Sequence, residues 1–140
     1  MTRTMTLALT AFALIVAACG AGNVFNLEVG QCFNDPDATD EVSDVPIVDC
    51  EVAHDNEVYY LFDMPDGDFP GVSAVQLAAD DGCFAQFESY VGQTYADSAL
   101  GYWALYPTDG SWEQDDREIV CVLSDFNGGT MTGSMRGSGV

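Results

Sequence analysis

The chain has no lysine. Its basic side chains are Arg3, Arg117 and Arg136, set against 23 acidic residues, for a formal charge of −20. A surface of that sign repels phosphates and anionic headgroups, which argues against nucleic acid as a partner. No apolar stretch approaches the ~20 residues that a membrane-spanning helix needs. No Cys-x-x-Cys pair is present to suggest a zinc centre. There is no G-x-S-x-G nucleophile motif, and His54 is the single histidine. No metal centre and no cofactor is expected.

What is present begins at the N-terminus. Arg3 precedes Leu7 to Ala18, an uncharged run that suits the h-region of a signal peptide. The run closes on Val16-Ala17-Ala18-Cys19-Gly20, which resembles a bacterial lipobox. That resemblance implies a signal peptide over residues 1–18, cleaved before a Cys19 that carries diacylglycerol and palmitate. The mature protein would then be lipid-anchored on the outer face of the cell membrane. Cysteine arithmetic agrees. Five cysteines is an odd number, and assigning Cys19 to lipid leaves Cys32, Cys50, Cys83 and Cys121. An even set in a short exported domain reads as a disulfide framework. Pairing sequence neighbours gives Cys32–Cys50 and Cys83–Cys121.

Residues 19–23 read as the lipidated cysteine and a short tether, 24–137 as one domain, and 138–140 as a flexible tail. Val24 to Phe33, Val45 to Cys50, Glu57 to Phe62, Gly101 to Tyr106 and Glu118 to Leu123 carry strand patterns. Thr130 to Met135 could add a short edge strand. Ser73 with Gln76 suggests a capping box, and Ala79, Cys83, Phe87 and Tyr90 then mark one face of a helix ending near Gly92. The expectation is an α+β fold: about five mainly antiparallel strands, one main helix packed on them, and two disulfides.

Few residues invite a chemical role. His54 stands beside Asp55 and Glu57 and lies four residues after Cys50, yet no nucleophile is tied to it. A structural hydrogen-bonding role is the simpler reading. Two acidic clusters, Asp35–Glu41 and Asp63–Asp68, lack the glycine of an EF-hand loop at its sixth position. Weak cation binding is all they support. Tyr59, Tyr60, Tyr102 and Trp103 are candidate partner anchors, because neighbours on a strand face opposite ways and cannot all be covered by one layer. His54 joins them as a candidate partner-binding residue supporting the loop between Cys50 and Glu57.

Several segments together resemble the actinobacterial septum formation family. They are Leu27 to Phe33 (LEVGQCF), Val45 to Cys50 leading to His54-Asp55-Asn56-Glu57-Val58, Phe69-Pro70-Gly71, Cys83, Trp112 with Asp116-Arg117 before Cys121, and Thr132 to Gly137. Ala53 and Asp115 depart from the family's usual proline and glycine. The resemblance implies a cell-envelope role linked to septum formation, without a catalytic motif or cofactor. The leading expectation is therefore a non-catalytic lipoprotein that binds a protein or cell-wall partner. A cation- or small-ligand-binding lipoprotein is the alternative, and an envelope hydrolase using His54 the third.

Overall fold

Antiparallel pairing accounts for the whole sheet. The computed structural model describes residues 21–36 and 43–140. The expected signal peptide and Cys19, together with Asp37, Asp40 and Glu41 of the first acidic cluster, lie outside the described residues. The elements are β1 (Ala21–Asn23), β2 (Cys32–Phe33), β3 (Asp44–Val48), β4 (Asn56–Asp63), α1 (Val72–Val91), β5 (Leu100–Leu105), α2 (Asp109–Trp112) and β6 (Glu118–Asp125). The six strands run in the order β1-β3-β2-β4-β6-β5. The class is α+β with one main helix, and the strand count is six rather than five. The additional strand is β1: residues read as tether pair with β3, Ala21 opposite Pro46 and Asn23 opposite Asp44.

The segment expected as one strand over Val24 to Phe33 divides. Asn23 Oδ1 accepts a hydrogen bond from Phe25 N at 2.9 Å and caps a 3₁₀ turn over Val24–Asn26. Gly30 takes φ 93°, a left-handed conformation that favours glycine, and only Cys32–Phe33 remains strand. The expected edge strand near the C-terminus shrinks to one bridge, His54 with Met131.

Helix α1 starts one residue before Ser73, after Gly71, and no side chain caps it. Ser73 therefore sits inside the first turn rather than at a capping box. The helix ends as its sequence indicates, on Gly92 at φ 82°, whose N–H reaches Glu88 O. Ala79, Cys83, Phe87 and Tyr90 are all buried. Gly82 leaves room for a ring: a Cβ there would lie 2.4 Å from Phe62 Cζ. Helix propensity is given up at that position for close helix–sheet contact.

Two cores result, one on each face of the sheet. Between α1 and the sheet, Cys83, Phe87 and Tyr90 of the helix pack with Tyr59, Ile119, Cys121 and Leu123 of the strands. On the opposite face Phe33, Val58, Val120 and Val122 pack against Val24, Leu27 and Val45 from the N-terminal strands and turn. The alternation of β4 breaks between Val58 and Tyr60, where the register to β6 shifts by a bulge. Tyr59 and Tyr60 consequently both pack into the helix-side core.

Both disulfides join the expected pairs. Cys32–Cys50 ties β2 to the chain after β3 with Cα atoms 5.2 Å apart, and Cys83–Cys121 ties α1 to β6 at 5.4 Å. In the chain-entropy model their loops are worth about 3 and 4 kcal/mol respectively.

Candidate functional site

Four consecutive polar residues, His54-Asp55-Asn56-Glu57, lead into β4, and each is used. Asp55 Oδ2 accepts from Asp35 N at 2.9 Å. Asn56 donates to Asp35 Oδ1 at 2.7 Å and accepts from the Trp103 indole at 3.1 Å. Glu57 is fully buried. Its Oε1 accepts from the Tyr90 hydroxyl at 2.7 Å and from Ser134 Oγ at 2.6 Å, while Oε2 accepts from Met135 N at 2.6 Å. One carboxylate thus fastens the C-terminal segment onto α1 and β4. The Tyr90 phenol is pushed up to about 12, chiefly by burial and then by its bond to Glu57. Arg136 lies over the Tyr90 ring, 4.5 Å from its centroid, and opposes that rise.

His54 is equally enclosed. Its Nδ1 lies 2.8 Å from Val52 O, and a carbonyl only accepts, so Nδ1 carries the proton. Its Nε2 is buried without a hydrogen-bond partner among the described residues. A ring nitrogen of His54, a carboxylate oxygen of Glu57 and the sulfur of Cys32 all lie within 4.8 Å of one another. That trio has metal-binding chemistry, but the Cys32 sulfur is bound to Cys50.

The other end of the β4–β6 ladder is open. Asp63 and Glu118 stand directly opposite each other across the strands. Like charges so placed repel. The Glu118 carboxyl is held above the usual glutamate range by burial first, then by Asp63 and Asp116. These acids line a cavity of about 740 Å³ with Asp66, Asp115, Arg117, Met64 and Phe25. Phe25 is 55% exposed. A second, smaller cavity of about 280 Å³ shares Phe25, Asp116 and Glu118 and continues along Leu105, Tyr106 and Val120.

The cation in this cleft is turned inward. Arg117 Nη1 donates to Trp112 O at 2.8 Å and Asp116 O at 2.7 Å, and the guanidinium lies 3.9 Å over the Trp112 ring. Its Nε is 3.7 Å from Asp66 Oδ1, and Asp66 is itself fully exposed. Solvent screening leaves that pair weak. Trp112 in turn donates to Gly67 O at 2.8 Å, which ties the backbone of the second acidic cluster to the aromatic–arginine stack. The cleft is acidic, partly apolar and roomy enough for a side chain or two.

The residues singled out in the sequence are placed as follows. His54 and Tyr59 are interior, and the Tyr59 hydroxyl donates to Cys83 O at 2.7 Å. Tyr60 stacks on Phe62 with centroids 5.7 Å apart. Tyr102 is half-buried and donates to Asp80 at 2.7 Å. Burial, followed by that bond to Asp80, raises its phenol above the ordinary range. Trp103 is half-buried against Phe33. The structure brings His54 together with Glu57, but it does not gather the four aromatics into one surface. Glu57, Tyr90, Ser134 and the Asp63–Glu118 opposition were missed. The signal for Glu57 and Ser134 lay in two separate family-like segments, 54–58 and 132–137, which the fold places in contact.

Comparison with known proteins gives a consistent picture. A family model described as Septum formation matches residues 28–138. Proteins provisionally assigned as lipoprotein LppN in Mycobacterium tuberculosis and Mycobacterium bovis are each 33% identical over 117 residues, covering 79% of this chain. The match spans 63% of the length of those relatives. No solved structure matches.

Proposed function

Because the chain belongs to the septum formation family, we propose that it is a non-catalytic envelope lipoprotein that binds a partner through the acidic cleft. The anchor is the lipid on Cys19, at the outer face of the cell membrane, and the process served is septum formation. Provisional assignment of both mycobacterial relatives as lipoproteins supports the anchor. One observation carries the binding site: Asp63 and Glu118 face each other beside exposed Phe25, and the neighbouring Arg117 is committed to backbone carbonyls. Uncompensated charge next to apolar surface suits a basic, partly apolar segment of a protein or a cell-wall component bearing amines. The first occupant is favoured because Phe25 and the Leu105–Val120 groove extend the apolar contact.

A hydrolase reading has less support. His54 is fully buried, its Nδ1 proton is given to Val52 O, and no hydroxyl or thiol among the described residues is hydrogen-bonded to its ring. The cation-binding alternative draws on the same cleft, and a Ca²⁺-dependent rise in melting temperature that Glu118→Gln removes would favour it.

Two measurements test the proposal in cells. Cys19→Ser should release the domain from the membrane fraction or block maturation, and retention after loss of the signal peptide would refute the anchor. A photo-crosslinking residue in place of Phe25 should trap a partner. Combining Asp63→Lys with Glu118→Lys should reduce that trapping at least tenfold, and unchanged trapping would remove the cleft from the proposal.

A further inference from the structure

The buried centre at the start of β4 holds more donor chemistry than the fold uses. Glu57 accepts three hydrogen bonds, all from neutral groups: Tyr90 Oη, Ser134 Oγ and Met135 N. A carboxylate has about four acceptor positions, so one remains. His54 Nε2 is fully enclosed and has no hydrogen-bond partner among the described residues. With its proton held on Nδ1 by Val52 O, the ring presents a lone pair at Nε2. Donation of the other ring N–H to a carbonyl is the second-shell arrangement found for metal-ligating histidines. The Cys32 sulfur lies within 4.8 Å of both groups, and Cys50 is covalently attached to it.

We propose that reduction of the Cys32–Cys50 disulfide converts this centre into a Zn²⁺ site with Cys32, Cys50, His54 and Glu57 as its four ligands. The oxidised chain has no such site, because both sulfurs are spent on each other. A dithiol reductant supplies two electrons and two protons, leaves as its own disulfide, and frees two thiols. Zn²⁺ then takes the two thiolates, and two protons pass to solvent. Tetrahedral donors around zinc stand about 3.3–3.8 Å apart, so the trio contracts by roughly 1 Å, within reach of side-chain rotation. Mixed sulfur, nitrogen and oxygen donors suit zinc over magnesium or calcium. Reduction is selective on grounds of access: Cys50 is partly exposed, whereas Cys83 and Cys121 are both 0% exposed. The proposal is independent of the acidic cleft, which lies at the other end of the β4–β6 ladder.

Cobalt is the probe, because thiolate-bound Co²⁺ absorbs visibly and Zn²⁺ displaces it. The full chain in detergent, reduced with a phosphine that does not bind metal, should take up one Co²⁺ with a thiolate charge-transfer band. The oxidised chain should show no such band. His54→Asn should weaken uptake by more than about 100-fold, beyond what losing a second-shell partner costs. The oxidised form of that variant is checked for folding by its thermal transition, and Cys50→Ser serves as a second variant that should lose the band. An identical band in His54→Asn would overturn the proposal, since unfolded thiols bind metal without the histidine. So would the absence of a band in the reduced wild type, or its unfolding in the presence of metal.

Discussion

The β4–β6 ladder carries a glutamate near each end, and the two have opposite surroundings. Glu57, paired opposite Leu123, is sealed from water and receives three hydrogen bonds from Tyr90, Ser134 and Met135. Glu118, paired opposite Asp63, meets further carboxylates and an open cavity. A buried acid is tolerated where donors replace its water. An acid left among like charges holds unspent electrostatic energy that a cationic partner can release. One end of the ladder is therefore built for holding the chain together, and the other is available for binding.

Removing the carboxylate at the closed end should have the largest effect. Glu57→Ala would leave the Tyr90 hydroxyl and the Met135 amide without an acceptor, at about 1–3 kcal/mol for each stranded group. A loss of about 4 kcal/mol in urea unfolding is expected, with new protease cleavage between residues 131 and 136. Stability within 1 kcal/mol of wild type would mean that the C-terminal segment is held by its apolar contacts alone.

A single donor is a finer probe of the same end. Tyr90→Phe should cost about 2 kcal/mol, the value of one hydrogen bond to a charged group. Its pH dependence sharpens the test. The folded phenol lies at about 12 against 10.0 unfolded, so its contribution is fully present below pH 10 and is lost as pH rises through about 12. The wild type should thus lose stability over that window more steeply than Tyr90→Phe. Parallel curves for the two proteins would show that Tyr90 ionises freely.

The open end should respond with the opposite sign and least. Glu118 has a folded value above its unfolded 4.5, so its contribution is fully present below pH 4.5 and is lost as pH rises through the folded value. Glu118→Gln should therefore stabilise the chain at pH 7, by about 0.5 kcal/mol after solvent screening. The gain should vanish below pH 4.5. A destabilised Glu118→Gln at neutral pH would show that a cation already balances the carboxylate.

Much of the scaffold is legible in the sequence. The helix face of Ala79, Cys83, Phe87 and Tyr90 was evident because helical packing repeats at a period that side-chain spacing records directly. Gly92 was a readable stop for the same local reason. Tyr59 and Tyr60 were not readable, since the bulge that turns both toward α1 depends on the register with β6. Ser73 misled because a capping pattern states only what a side chain can do, and the chain entered α1 one residue earlier.

The sequence by itself determined the set of four disulfide cysteines, the class of fold and the strongly acidic composition, because cysteine number, side-chain period and charge are local or additive properties. Tertiary structure alone decided which acids are satisfied and which are left facing each other. That decision joins Glu57 to Ser134 across 77 residues and sets Asp63 against Glu118. Burial and hydrogen-bond partnership are properties of the assembled neighbourhood, and 23 chemically similar acidic side chains carry no mark of it individually.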